Sequence, residues 1–270
     1  MELGFCSISA LDRPLVAAAQ LAVAQELDGI EVSAHAPHLE PGTPLEAVRA
    51  AGREIESVGA RALTYGSYLG RFGSRTPEAA LREVAVAAAL RASRIRVWAE
   101  PEETAVDDDF ASSVKLLQTT CDAAAAEGIE VVVERHVGSF ADSPERAERL
   151  LDAVGRPNFA LNYQVLDNLP ETELEAQPAD ARRLIPRARY FHLKNYRFPR
   201  EPGGPVQPGG SLEGGVLDYR AILAEAFEAG YAGPLAIEFL SFEPGLSTEE
   251  KLAADVAWLR GVLKDLGVDA

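Results

Sequence analysis

The sequence predicts an α/β protein, a (β/α)8 TIM barrel in a single domain, and three observations carry that prediction. Eight short apolar, β-branched runs alternate with Ala- and Leu-rich amphipathic segments, the starts of consecutive runs lie 27 to 45 residues apart, and no Gly-x-Gly-x-x-Gly follows the first run. Alternation at that spacing marks repeated βα units, and 270 residues hold eight of them without a linker. The missing glycine fingerprint counts against the rival arrangement, an open doubly wound sheet that cradles a dinucleotide.

The strand runs are "ELGFCSI" (2–8), "GIEVS" (29–33), "ARALTY" (60–65), "RIRVWAE" (94–100), "IEVVVE" (129–134), "NFALNYQ" (158–164), "RYFHLKN" (189–195) and "PLAIEF" (234–239). Between and after them, helices are expected at 14–27, 45–58, 77–90, 110–127, 144–154, 173–184, 218–229 and 248–265. Thr76 before Pro77 and Ser143 before Pro144 each join a capping oxygen to a first-turn proline that has no amide hydrogen to leave unpaired. Gly29, Gly59, Gly128 and Gly230 stand where a left-handed residue ends a helix ahead of the next strand. The longest irregular stretch, 197–215, is polar and glycine-rich, and in a barrel it emerges at the catalytic face as a lid or substrate wall.

Composition narrows the function. With 26 Lys and Arg against 42 Asp and Glu, a formal charge of −16, the chain is poorly suited to neutralising phosphates, so nucleic acid is not the expected partner. Two cysteines are too few for a disulfide scaffold or an all-cysteine metal cluster. No basic-then-apolar leader and no membrane-length apolar run is seen, so a cytoplasmic location with no membrane partner is expected.

In a barrel, the C-terminal strand ends converge on one mouth. Here they are polar: Glu100, Glu134 with His136, Asn162 with Gln164, His192 with Lys194, and Glu238. Glu134 and Glu238 each end an apolar run, and a carboxylate buried there needs a cation opposite it. Two carboxylates, an imidazole and an amide oxygen make an oxygen-rich divalent metal site. The bland alternative is a ring of salt bridges around the barrel mouth, with Arg135 and Lys194 as the cations. Acids at strand mouths, Glu31 and Glu100 among them, equally suit Arg96 as an ion-pair partner.

The motifs "VVVERH", "YFHLKN" and "LAIEFL" resemble those of the xylose isomerase-like TIM barrels of the sugar phosphate isomerase/epimerase superfamily, as do "TYGSYLGRFG" and "GGSLEGGVLDY". The resemblance runs from "GFCSISA" to the end of the chain. It implies a divalent cation (Mn, Mg, Co or Zn) held by Glu134, by the residue ending the sixth strand, by His192 and by Glu238. The family has aspartate at the sixth strand, whereas this chain has Gln164, which removes one formal charge from the ligand set. Asp167 is a candidate substitute from the following loop.

The resemblance further implies an isomerase or epimerase of a small sugar or keto-polyol, working by proton transfer next to a carbonyl, with Glu134 and Glu238 as the catalytic pair. His136, Lys194, Tyr65, Tyr68, Trp98 and Asn162 are the candidate substrate contacts; the aromatic rings suit the C–H face of a sugar. Arg71, Arg197 and Arg200 are weaker candidates for an anionic group. His35 and His38 match the early histidines of the family's trinuclear zinc endonucleases, a reading the acidic composition disfavours. Two alternatives stay open: a metal-dependent dehydratase or keto-glycoside lyase, and a non-catalytic sugar-binding barrel. The partner is a small sugar or polyol, and a homo-oligomer is compatible with the sequence.

Overall fold

A computed structural model describes residues 1–72, 74–101 and 106–269. Eight parallel strands close into a barrel: β1 (Leu3–Cys6), β2 (Gly29–Ser33), β3 (Arg61–Gly66), β4 (Arg94–Val97), β5 (Glu130–Glu134), β6 (Phe159–Tyr163), β7 (Ala188–Leu193) and, as the eighth barrel strand, β10 (Leu235–Ile237). Closure is made where β1 pairs on one side with β2 (Phe5 beside Ile30) and on the other with β10 (Phe5 beside Ile237). Eight helices surround it: α1 (Leu15–Ala24), α2 (Leu45–Ser57), α3 (Pro77–Leu90), α4 (Val106–Ala126), α5 (Pro144–Val154), α6 (Gln177–Leu184), α7 (Tyr219–Glu228) and α8 (Thr248–Asp265). This is the (β/α)8 barrel that the alternating pattern predicts.

Local chemistry explains the element ends. The Thr76 hydroxyl accepts from the Ala79 amide and Ser143 from Arg146, so both proline-led helices are capped as expected. On α5, Ala147, Leu150, Leu151 and Val154 recur with helical period and are buried as one stripe against the sheet. Gly59, Gly128 and Gly230 have φ of 91°, 70° and 88°, the left-handed turns expected of them. Gly29 is different: it opens β2, and a Cβ there would stand 2.1 Å from the Arg61 carbonyl oxygen, so glycine is needed for close approach of two strands.

Three boundaries depart from the sequence pattern. The first strand ends at Cys6 because a 3-10 turn, Ser7–Ala10, bends the chain across the barrel mouth. The segment before α6 is a 3-10 helix, Glu171–Ala176, and the α-helix begins only at Gln177, with Pro178 in its first turn. Within the stretch 197–215 lies the second strand of an antiparallel pair, β8 (Asn195–Arg197) with β9 (Gln207–Gly210). No helix among the described residues is long and apolar enough to cross a membrane.

Strand parity builds the site. Cys6, Val132, Ala160, Tyr190 and Ala236 form a small buried cluster inside the barrel. Two residues further along β5, β6, β7 and β10, the same inward parity delivers Glu134, Asn162, His192 and Glu238. The polar layer therefore stands on an apolar floor, which strengthens every charge interaction above it.

Candidate metal centre and active site

Glu134, His192 and Glu238 come together. Each offers one ligand atom, and these atoms lie within 4.8 Å of one another. Glu134 Oε2 and Glu238 Oε2 accept no directed hydrogen bond; they stand beside cations instead, 2.6 Å from Arg96 Nη1 and 3.1 Å from Lys194 Nζ. The His192 Nδ1 corner faces Glu238 Oε1 and Gln164 Oε1, each 3.4 Å away, so it attracts positive charge, whether a proton or a metal ion. Burial opposes charge on this ring, but Glu31 and Glu238 outweigh it and raise its pKa. Two carboxylates and an imidazole converging on one centre are a donor set that suits a divalent cation.

Gln164 is placed to join that set. Its Nε2 donates to Glu134 Oε1 at 2.9 Å and to the Arg135 carbonyl at 2.8 Å, which fixes the amide and turns Oε1 toward His192. Asn162 lies beside the ring, with Nδ2 3.1 Å from His192 Nδ1. Asp167 stays outside the cluster: it pairs with Lys194 at 3.3 Å and accepts from the Tyr196 hydroxyl at 2.9 Å.

Two charged residues at the heart of the site are less obvious from sequence. Arg96 on β4 lies between Glu31 (Nε to Oε1, 3.1 Å) and Glu134, with only 6% of its surface exposed. Glu31 in turn accepts from His192 Nε2 at 2.8 Å and orients the ring. Gly66 makes room for this pair, since a Cβ there would fall 2.3 Å from Glu31 Oε1 and 2.8 Å from Arg96 Nη2. Burial disfavours the Glu31 carboxylate, yet His192 and Arg96 hold its pKa down to about 2. Glu134 goes the other way: burial, aided by Glu238, raises it despite Arg96. The partner of Glu134 is thus Arg96, whereas Arg135 points outward to Asp180 at 2.9 Å.

A cavity of ≈420 Å³ opens above the cluster, lined by Glu134, Glu238, His136, Lys194, Tyr68 and Trp98 among others. Tyr68 and Trp98 are nearly parallel with ring centres 6.4 Å apart, and the Arg71 guanidinium covers Trp98 at 4.1 Å while pairing with Glu100 at 3.0 Å. Burial and the nearby Arg71 charge push His136 down to about 4, so it is neutral at neutral pH. Burial works against the Lys194 ammonium, but Glu238 and Asp167 keep it charged with a raised pKa.

Tyr65 does not reach the cavity. Its neighbour Gly66 faces inward, so alternation turns Tyr65 outward, where its hydroxyl donates to Glu83 on α3 at 2.5 Å. His38 is a structural tie, not a ligand: Nε2 donates toward the Ala10 and Arg13 carbonyls, and Nδ1 accepts from Ser7. His35 lines the cavity, away from the clustered carboxylates.

Solved structures with the same fold span nearly the whole chain. A xylose isomerase domain protein from Planctomyces limnophilus superposes with a TM-score of 0.75 at 18% identity, covering 99% of this chain and 98% of the other. The probable 3-DHS dehydratase AsbF from Bacillus anthracis gives 0.70 at 18% identity, covering 96% and 99%. A xylose isomerase-like TIM barrel protein from Mycobacterium smegmatis in complex with magnesium gives 0.72 at 15% identity, covering 95% and 91%. At these identities the likeness speaks for the fold alone. No curated protein matches the chain. The family model for xylose isomerase-like TIM barrels matches residues 12–262, nearly the full length of the barrel, and the chain belongs to that family.

Proposed function

We propose that this barrel is a divalent-metal-dependent isomerase or epimerase of a small sugar or keto-polyol, working by proton transfer next to a carbonyl. One observation carries the reading: in barrel order β10, β7, β6, β5, two glutamates at the floor of one cavity flank the fully buried His192, with ligand atoms within 4.8 Å. A cation bound by Glu134, Gln164, His192 and Glu238 would polarise a substrate carbonyl and its neighbouring hydroxyl. The protein's own groups do the rest. Glu134, whose proton affinity is raised by burial, takes the proton from the adjacent carbon, and Glu238 serves the other face. Lys194 supplies positive charge where substrate oxygen becomes anionic. Neutral His136 hydrogen-bonds a hydroxyl, the Tyr68–Trp98 wall meets the C–H face of the sugar, and Asn162 steadies His192 from beside it.

The test is proton exchange in deuterated water. The protein with MnCl2 is incubated with a panel of aldoses, ketoses and oxidised sugars, and NMR follows the C–H next to each carbonyl. Solvent deuterium should enter an isomerised or epimerised product, and Glu134→Gln or Glu238→Gln should each abolish it. Exchange that survives both substitutions removes the proposed roles, and sugar binding without any exchange leaves only a binding barrel. Elimination or cleavage of a keto-glycoside begins with the same abstraction and would appear as a lighter or cleaved product. That second reading is supported by a second cavity that shares Asp167, Lys194 and Phe239 with the first and offers space for a leaving group.

A further inference from the structure

A second cavity of ≈310 Å³ adjoins the main one, and Asp167, Lys194 and Phe239 line both. Their chemistry differs. Charged groups dominate the floor of the first, whereas the second adds Asn168, Tyr196, Pro208 and Phe242 to the shared residues. The Tyr196 hydroxyl is spent on Asp167 Oδ1 (2.9 Å) and the Val165 carbonyl (3.1 Å), which leaves ring carbons to meet a guest.

Phe242 lines the second cavity and is 55% exposed, so its ring is open to a guest. It is also held in place. Its backbone N–H donates to the Gly209 carbonyl at 3.0 Å. Its ring lies so close on Gly209 that a Cβ there would stand 2.3 Å from Phe242 Cγ. Arg197 stands 5.8 Å from its ring centre. The β8–β9 ribbon and the loop after β10 are thus joined so as to present an aromatic surface beside the polar cavity.

We infer that the second lobe is a subsite for a flat, apolar substituent, an aryl group, on the molecule whose polar sugar part occupies the main cavity. The inference rests on the function proposed above and narrows its substrate class from a bare monosaccharide to an aryl-substituted one. Adjacency selects this occupant: the two cavities share Asp167, Lys194 and Phe239, and Lys194 pairs with Glu238 of the first and with Asp167. A mostly apolar pocket with few polar groups suits a ring that stacks on aromatic faces.

Calorimetric titration of the full chain with MnCl2 tests this with three probes: phenyl β-D-glucopyranoside, methyl β-D-glucopyranoside and phenol, with the corresponding galactosides and xylosides completing the panel. An aryl glycoside should bind about tenfold or more tightly than its methyl counterpart. Phe242→Ala should bring the two within about threefold while leaving the methyl glycoside unchanged, and Phe242→Tyr should keep the difference. Melting curves identify a variant that has lost its fold, in which case the Phe242→Leu ratio decides. Methyl glycosides that bind with no aryl advantage, or an advantage untouched at position 242, overturn the subsite and leave the proposed function standing. Phenol binding as tightly as phenyl glucoside overturns the role of the polar cavity, and the inference falls with it. No binding by any aryl probe also overturns it.

Discussion

Replacing Arg96 by methionine probes the electrostatic design of the site directly. Arg96 is a buried cation beside both Glu31 (3.1 Å) and Glu134 (2.6 Å), and methionine keeps the aliphatic volume while removing the charge. Glu31 retains His192, but Glu134 keeps only the Gln164 amide as a close donor. Removing one partner of a buried pair costs about 3–5 kcal/mol, because the remaining charge stays desolvated. For a chain of this size that lowers the melting temperature by on the order of 10 °C. The vacated carboxylates should then take a divalent cation more readily. Manganese at about a hundredfold over its dissociation constant contributes roughly 2.7 kcal/mol, enough to restore much of the loss. The assay is thermal melting by circular dichroism at neutral pH, in EDTA and in MnCl2, for both proteins. The penalty should also shrink as pH falls through the carboxylate range, since a protonated Glu134 needs no cation. A variant that melts with the wild type in EDTA, or gains no more from manganese than the wild type does, refutes this account.

Gln164→Asp should tighten manganese binding by about tenfold or more, because a third carboxylate replaces a neutral oxygen; the free-ion EPR signal measures it, and unchanged affinity counts against Gln164 standing at the cation. The same variant should lose about 1–3 kcal/mol of metal-free stability with the amide's two donations, to Glu134 and the Arg135 carbonyl. Asp255 on α8 tests a different group. Its Oδ1 accepts from the Leu212 amide at 2.8 Å, its other oxygen is unpartnered, and burial pushes its pKa up to about 6. A carboxyl with a raised folded-state pKa stabilises the protein only while protonated, so this contribution is complete below about pH 4 and is lost as pH climbs through 6. The loss is on the order of 3 kcal/mol. Asp255→Asn should flatten that fall in urea titrations run from pH 4 to 8, and an undiminished slope would place the proton elsewhere.

The barrel was readable from sequence because strands buried on both faces leave uninterrupted apolar runs, as in Val131–Val133 on β5. Glu134, His192 and Glu238 were visible for the same reason: each is a polar residue at the end of such a run, and it has nowhere to go but the mouth. Tyr65 was misplaced because proximity to a strand end says nothing of parity; one residue decides between cavity and helix. Arg96 was noticed as a cation suited to strand-mouth acids, but its central position depends on Gly66 leaving space, a three-dimensional fact with no local signature. Phe242 sits in a loop without periodicity, and only the ribbon opposite gives it meaning. The β8–β9 pairing itself is hidden in a proline- and glycine-rich stretch whose composition suggests an unpaired loop.

The ribbon formed by β8 and β9 makes no ladder with the eight barrel strands. It is tied to the rest of the chain through side chains and loops instead: Asn195 accepts from the Leu217 amide, and the Tyr196 hydroxyl donates to Asp167. On the function and subsite proposed above, reactive groups would sit on the barrel staves and recognition of the rest of the ligand on this appendage. In a scaffold divided this way, the appendage would be the place to alter which ligands are accepted while the groups on the barrel strands stay as they are.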